Sequence, residues 1–233
     1  MDSMQLSYTV VVILSYSILI AGVIGIFRFS QISNKYRPFI YLIWIGCLSE
    51  ILSTYFALVY HNNLAVGTIY GLCESLLLLW FFSRLGTFKN RNKVLYGLIV
   101  AFVIIWLVDN FFSSHLNVRV PFYFEIVYAL TVVLLSIRTL NELLFTEKEF
   151  LKNPTFLICI GLIIFFTYQI IVKLFWLYGL KESLNFRMNV QTIMILINCF
   201  TNLIFAVAVL WMKKRRPFTL QFGKFDEPVQ AIH

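Results

Sequence analysis

Two carboxylates, Glu50 and Glu74, stand near the middle of long apolar runs, where a membrane-crossing chain keeps few ionisable groups. Such a group is costly at mid-bilayer and normally faces a bundle interior, so it marks a candidate site. Glu50 lies about twelve residues into its run, roughly 18 Å at the helical rise. Glu74 lies about ten residues into the next run, which returns in the opposite direction, so both reach a similar depth. The helical neighbours of Glu50 are Gly46, Cys47, Ser53 and Thr54, and those of Glu74 include Gly67, Tyr70 and Gly71. Small residues at this spacing let helices approach closely, so the two carboxylates are expected to be neighbours. Like charges in low dielectric cannot both ionise cheaply, and a shared proton suits proton coupling or pH sensing. The last apolar run adds Gln191, Asn198, Thr201 and Asn202 on one face. The expected proton or small-ligand site is therefore Glu50, Glu74, Asn198, Tyr70 and Asn202. The competing explanation is interhelical hydrogen bonding, worth roughly 0.6 to 2 kcal/mol per bond.

A second polar group lies toward the opposite ends of these runs: His61, Asp109, Asn110, His115, Arg119, Glu125, Gln169 and Lys173. Within it, Asp109, Glu125, Lys173 and Gln169 form a candidate outer vestibule, with Lys173 paired to Asp109 or Glu125. The plainer alternative is a set of interfacial residues with a snorkelling lysine.

Elements able to hold these groups follow from composition. The chain is 60% hydrophobic and 13% charged, more apolar surface than a globular protein of this size can hide from water. Seven segments are long enough to span a bilayer, which takes about 20 apolar residues: Tyr8–Phe29, Phe39–Tyr60, Leu64–Leu85, Val94–Phe112, Phe122–Leu140, Thr155–Leu177 and Met188–Met212. Pro38, Pro121 and Pro154 open three of them, the first-turn position where a missing N–H costs nothing. No proline falls inside a span. Trp80, Trp176 and Trp211 sit toward span ends, as interfacial aromatics do.

Lysine and arginine then orient the chain. With the N-terminus outside, Arg119, Lys181 and Arg187 alone lie on the outer side, Lys173 lies within a span, and every other cation is inside. The fold class expected is an all-α polytopic membrane protein, a seven-transmembrane-helix bundle with its C-terminus cytoplasmic. Residues 1–212 form one domain and 213–233 a short basic tail, placed in the inner (plasma) membrane. The first run is preceded by Asp2 and no cation, so it reads as a retained helix rather than a cleaved signal. Lys213–Arg216 reads as a stop-transfer anchor, although four such cations also attract anionic lipid.

Several classes are disfavoured. The net charge of +8 resides in short loops, without the basic surface of a nucleic-acid binder. Cys47, Cys73, Cys159 and Cys199 form no CxxC pair or Cys/His cluster, so neither disulfides nor a metal site is expected. No catalytic motif appears, no strand-like alternation suggests a β-barrel, and no cofactor is implied.

A faint repeat is also present. With a one-residue gap, Pro38-Phe39-Ile40 through Gly46 resembles Pro154-Thr155-Phe156 through Gly161, and Thr68-Ile69 with Glu74 is echoed by Thr192-Ile193 with Asn198. Spans one to three and five to seven would then be parallel repeats about a linker helix, a plan found among transporters. The segments Trp44–Leu52 and Ile69–Leu77, with Asn153-Pro154, Gly161, Asn198 and Asn202, resemble a group of uncharacterised bacterial seven-helix membrane proteins. The resemblance runs along most of the chain and implies a shared fold and no established activity. The sequence favours a non-enzymatic, receptor-like sensor signalling through a cytoplasmic or membrane partner, which continuous helices, an outer polar cluster and a mid-membrane polar network all fit. A small-solute or proton-coupled transporter on the three-plus-one-plus-three plan is the alternative.

Overall fold

The computed structural model describes residues 8–89, 91–113, 122–146, 150–177 and 184–212. The basic tail, His115, Arg119 and Pro121 lie outside them. Among the described residues the regular elements are all helices, and seven are long and apolar enough to cross a membrane. The first comprises α1 (Tyr8–Ser15) and α2 (Ile18–Arg28). It is followed by α3 (Arg37–Tyr60), α4 (Leu64–Leu85), α5 (Asn92–Leu107), α6 (Phe122–Thr146), α7 (Pro154–Leu177) and α8 (Leu184–Trp211). A π-helical turn, Val108–Ser113, prolongs α5.

Local chemistry sets the helix ends. Pro38 occupies the first turn of α3. Asn153 caps α7, its Oδ1 accepting the Thr155 N–H at 2.9 Å just after Pro154; such a cap is worth about 1 kcal/mol. Helix α4 stops at Gly86, whose φ of +94° only glycine adopts without strain. There the Gly86 and Thr87 N–H groups return to Ser83 and Phe82, closing orphan carbonyls in a Schellman motif. Arg28 does the same work at long range, donating to the Leu210 and Met212 carbonyls at the end of α8.

Six of the spans close into a ring. Helix α2 packs on α3, α3 on α4, α4 on α6, α6 on α7, α7 on α8, and α8 returns to α2, while α5 lies outside against α4 and α6. Packing is uneven along the bundle axis. At the basic end, Ile32, Phe39, Ile40, Leu78, Phe81 and Phe82 are wholly buried. Phe39 meets Phe205 edge-on there at 5.0 Å, and the Tyr36 and Thr155 hydroxyls join α3 to α7 at 3.1 Å. At the other end of α3, Tyr55, Leu58, Val59 and Tyr60 are 50 to 63% exposed. Apolar side chains so exposed suit lipid as solvent.

The first span is not the uninterrupted helix expected from its sequence. It breaks at Tyr16-Ser17, where Ser17, Leu19 and Ile20 bond three residues back instead of four. No proline is involved. Tertiary bonds hold the break: Asn202 donates to Ser17 Oγ at 3.0 Å, and Tyr16 Oη donates to Thr54 at 3.2 Å. The Cys47 thiol points to the Ile18 carbonyl at 3.7 Å. Serines compete with the ladder by side-chain bonding, and here the bonds to other helices fix the bend.

The close approach of α7 and α8 sets a test. A Cβ at Gly161 would lie 2.7 Å from the ring of Phe205, whereas one at Gly97 would meet nothing within 4 Å. Gly161→Ala is expected to destabilise by about 1–3 kcal/mol through overpacking. Gly97→Ala should be neutral or slightly stabilising through helix propensity. Thermal unfolding in detergent checks both.

Candidate functional site

The ring encloses a cavity of about 270 Å³. It runs along α3 from Leu42 to Ser53, about 16 Å at the helical rise. Every ring helix contributes to its wall, from Ile18 on α2 to Asn198, Thr201, Asn202 and Phe205 on α8, and no residue of α5 does. The five residues expected at the inner site, Glu50, Glu74, Asn198, Tyr70 and Asn202, all line it. So do Glu125 and Gln169 from the expected vestibule. Two of the four expected vestibule residues thus share one chamber with the inner group.

Glu74 is its most constrained member. Tyr70 Oη donates to Oε1 at 3.0 Å and Tyr128 Oη donates to Oε2 at 2.8 Å. Tyr70 reaches back one turn on the same helix, the ordinary i, i+4 geometry, whereas Tyr128 comes from α6. The Tyr128 ring is fixed between Phe124 at 5.2 Å and Phe166 at 5.5 Å, the latter edge-on. Gly46 leaves room for the Tyr70 hydroxyl, which would lie 3.4 Å from a Cβ placed there, and for Ile18 at the first-span break.

Glu50 differs. Its backbone carbonyl accepts the Thr54 hydroxyl at 2.9 Å, but its carboxylate makes no hydrogen bond or ion pair with the described residues. Nor do Glu50 and Glu74 bond to each other; the proton-sharing pair expected from their depth is replaced by a carboxylate held by two phenols and a second one free in the same chamber. Asn202 is spent on Ser17. Three polar atoms of the wall are buried without a hydrogen-bond partner among the described residues: Thr201 Oγ, Gln169 Oε1 and Glu125 Oε2, the last of them in an ion pair with Lys173.

A second cavity, of about 360 Å³, lies between the first turn of α6 and the facing ends of α7 and α8, lined by Phe122, Lys173, Trp176, Gln191 and others. Gln169 belongs to both walls. Between the cavities Lys173 makes an ion pair with Glu125, the two side chains 19% and 14% exposed, and its ammonium lies 5.7 Å from the Phe122 ring centroid. Of the two partners expected for Lys173, the structure gives Glu125. Asp109 lines neither cavity; its Oδ2 accepts the Phe124 N–H at 3.0 Å, satisfying an orphan donor at the start of α6. His61 ends α3 in a left-handed conformation, with φ of 52°, and Asn110 bonds back to the Trp106 carbonyl.

Sequence reasoning missed Tyr128 and the aromatic wall of Phe165 and Phe166. A signal existed for the first, since Tyr128 follows Glu125 by three residues and so shares its helix face. Among the described residues no group of His, Cys, Asp and Glu is placed to hold a metal ion. No family model, curated protein or solved structure matches the chain.

Two substitutions probe the polar wall. Tyr128→Phe removes one of the donors to Glu74 and should lower stability by about 1–3 kcal/mol, the cost of an unsatisfied buried partner. Lys173→Met leaves Glu125 uncompensated and should cost about 3 kcal/mol, with much of the loss recovered in the Lys173→Met/Glu125→Gln double variant. Chemical and thermal unfolding in one lipid system measures both, and equal instability of single and double variants would contradict the ion-pair account.

Proposed function

We propose that this chain is a small-solute or proton-coupled transporter on a three-plus-one-plus-three helix plan, with no catalytic step. The observation supporting this most is the division of labour among the spans. Six helices form the ring and line one central chamber, and the fourth span stands outside it. Without the one-residue gap that aligns Gly46 with Gly161, the spacing that separates Pro38 from Pro154 carries Gly46, Ser49, Glu50 and Ser53 onto Leu162, Phe165, Phe166 and Gln169, all of them lining residues. Spans two and six thus present the same positions at the same depth, as parallel repeats would. The sequence favours sensing on three grounds: continuous helices, an outer polar cluster and a mid-membrane polar network. The break at Tyr16-Ser17 weakens the first of these, because interrupted helices beside a central site are a usual transporter device.

In this reading the basic end faces the cytoplasm of an inner (plasma) membrane, by the excess of Lys and Arg in its loops, and the N-terminus is outside. Alternating access would rock one three-helix set against the other about the chamber, with Glu74 and Glu50 as the proton or solute groups.

A receptor-like sensor is the second reading, favoured by the dense packing of the basic end. A bundle sealed there passes a shape change to a cytoplasmic or membrane partner without opening a path.

Accessibility of Ser49 separates the readings. Ser49→Cys should react with a membrane-impermeant thiol reagent from the N-terminal side, above the wild-type background. For a transporter it should also react in inverted vesicles, with the rate changing when Glu74→Gln is added. Reaction from one side only, in both preparations, would leave the sensor.

A further inference from the structure

The buried groups of the chamber wall left without a partner among the described residues are mainly hydrogen-bond acceptors, beside Asn198 and Ser49, which can also donate. Glu50 offers a whole carboxylate, Gln169 Oε1 is buried and unpartnered, and Thr201 Oγ, on a residue only 2% exposed, is unpartnered too. A hydroxyl both gives and takes, but a carboxylate and an amide oxygen only accept. Unmet buried acceptors cost about 1–3 kcal/mol each, so the complementary occupant brings donors.

Charge points the same way. Three carboxylates line the chamber, Glu50, Glu74 and Glu125, and no Lys, Arg or His is among the lining residues. Lys173 reaches in from the adjoining cavity to Glu125 and offsets one of them. Glu74 has its two phenol donors. Of these three, Glu50 has neither a counter-charge nor a donor among the described residues.

The rest of the wall is aromatic and apolar, with Phe165, Phe166 and Phe205 beside the polar groups. Ring faces attract cations, and the same rings shelter hydrocarbon. About 270 Å³ exceeds the roughly 150 Å³ cavity that takes a benzene molecule, which sets the scale at a ligand of several heavy atoms. Among the described residues no group of His, Cys, Asp and Glu is placed to hold a metal ion, and a hard cation takes about six or more oxygen ligands.

We propose that the central chamber binds a small organic ammonium ion bearing N–H donors, with Glu50 as counter-ion, Gln169 and Thr201 as further acceptors, and the aromatic wall against its hydrocarbon part. This rests on the chamber being a solute site, the premise shared by both readings above.

The test uses the full chain in lipid nanodiscs and follows intrinsic tryptophan fluorescence and calorimetric heat with four probes: butylammonium, tetramethylammonium, butanol and butyrate. Butylammonium should bind saturably. Tetramethylammonium, which has charge but no N–H, should bind more weakly, and butanol and butyrate should not saturate. Glu50→Gln should weaken butylammonium by about tenfold or more, the size of one charge-assisted hydrogen bond, with thermal stability near wild type. Thr201→Val should weaken it by a smaller factor and so gives an independent check. Butanol or butyrate binding as tightly as butylammonium would overturn the ammonium assignment and leave the solute site standing. Displacement of butylammonium by millimolar sodium would make the chamber a metal-cation site, against the proposal. Unchanged affinity in a folded Glu50→Gln protein would remove Glu50 from it. Saturable binding of none of the four by folded wild-type protein would sink both the assignment and its premise.

Discussion

A carboxylate in the middle of an apolar bundle is tolerated only where the protein itself supplies what water would have given, and Glu74 shows how much must be arranged to do so. Its two oxygens each receive a phenol hydroxyl, one from its own helix and one from α6. The α6 donor is held by Phe124 and Phe166, which belong to α6 and α7. One acidic group thereby ties together α4, α6 and α7. Apolar contacts alone give little preference between neighbours in lipid, because tails and leucines are equivalent solvents. Polar bonds such as these select a single packing, and the chamber exists where that packing leaves a gap.

The remaining interhelical bonds serve the same end. Asn202 to Ser17, Tyr16 to Thr54, and Trp44 to the Gly22 carbonyl at 3.3 Å tie the bent first span to α8 and α3. Trp106 to the Thr68 carbonyl at 3.1 Å pins the outlying α5 to α4. The ring is thus stitched by polar groups at several depths, and its aromatic filling at the basic end completes it.

Much of the fold was legible because bilayer thickness and helical rise leave little freedom: seven apolar runs must be seven long helices, and Pro38 and Asn153-Pro154 mark two of their starts. Part of the chamber wall was legible for a related reason: Glu50, Glu74, Tyr70, Asn198 and Asn202 lie at inward-facing positions of three helices, and all five line one chamber. What sequence could not supply was the order of helices around the ring. Without it, Glu125 and Gln169 seemed to belong to a separate vestibule, and Tyr128 had no reason to be paired with Glu74. Asp109 looked like a partner for Lys173, but the chain path places it beside the first turn of α6, where a backbone donor claims it. The break in the first span was invisible because it is imposed from other helices, with no proline or glycine at the bend.

The uneven packing along the bundle axis has a mechanical consequence. On α3 the buried aromatic end and the exposed end are joined by the stretch from Leu42 to Ser53 that forms one wall of the chamber. In a bilayer, a sideways load on the exposed end would act on that wall as on a lever held at its other end.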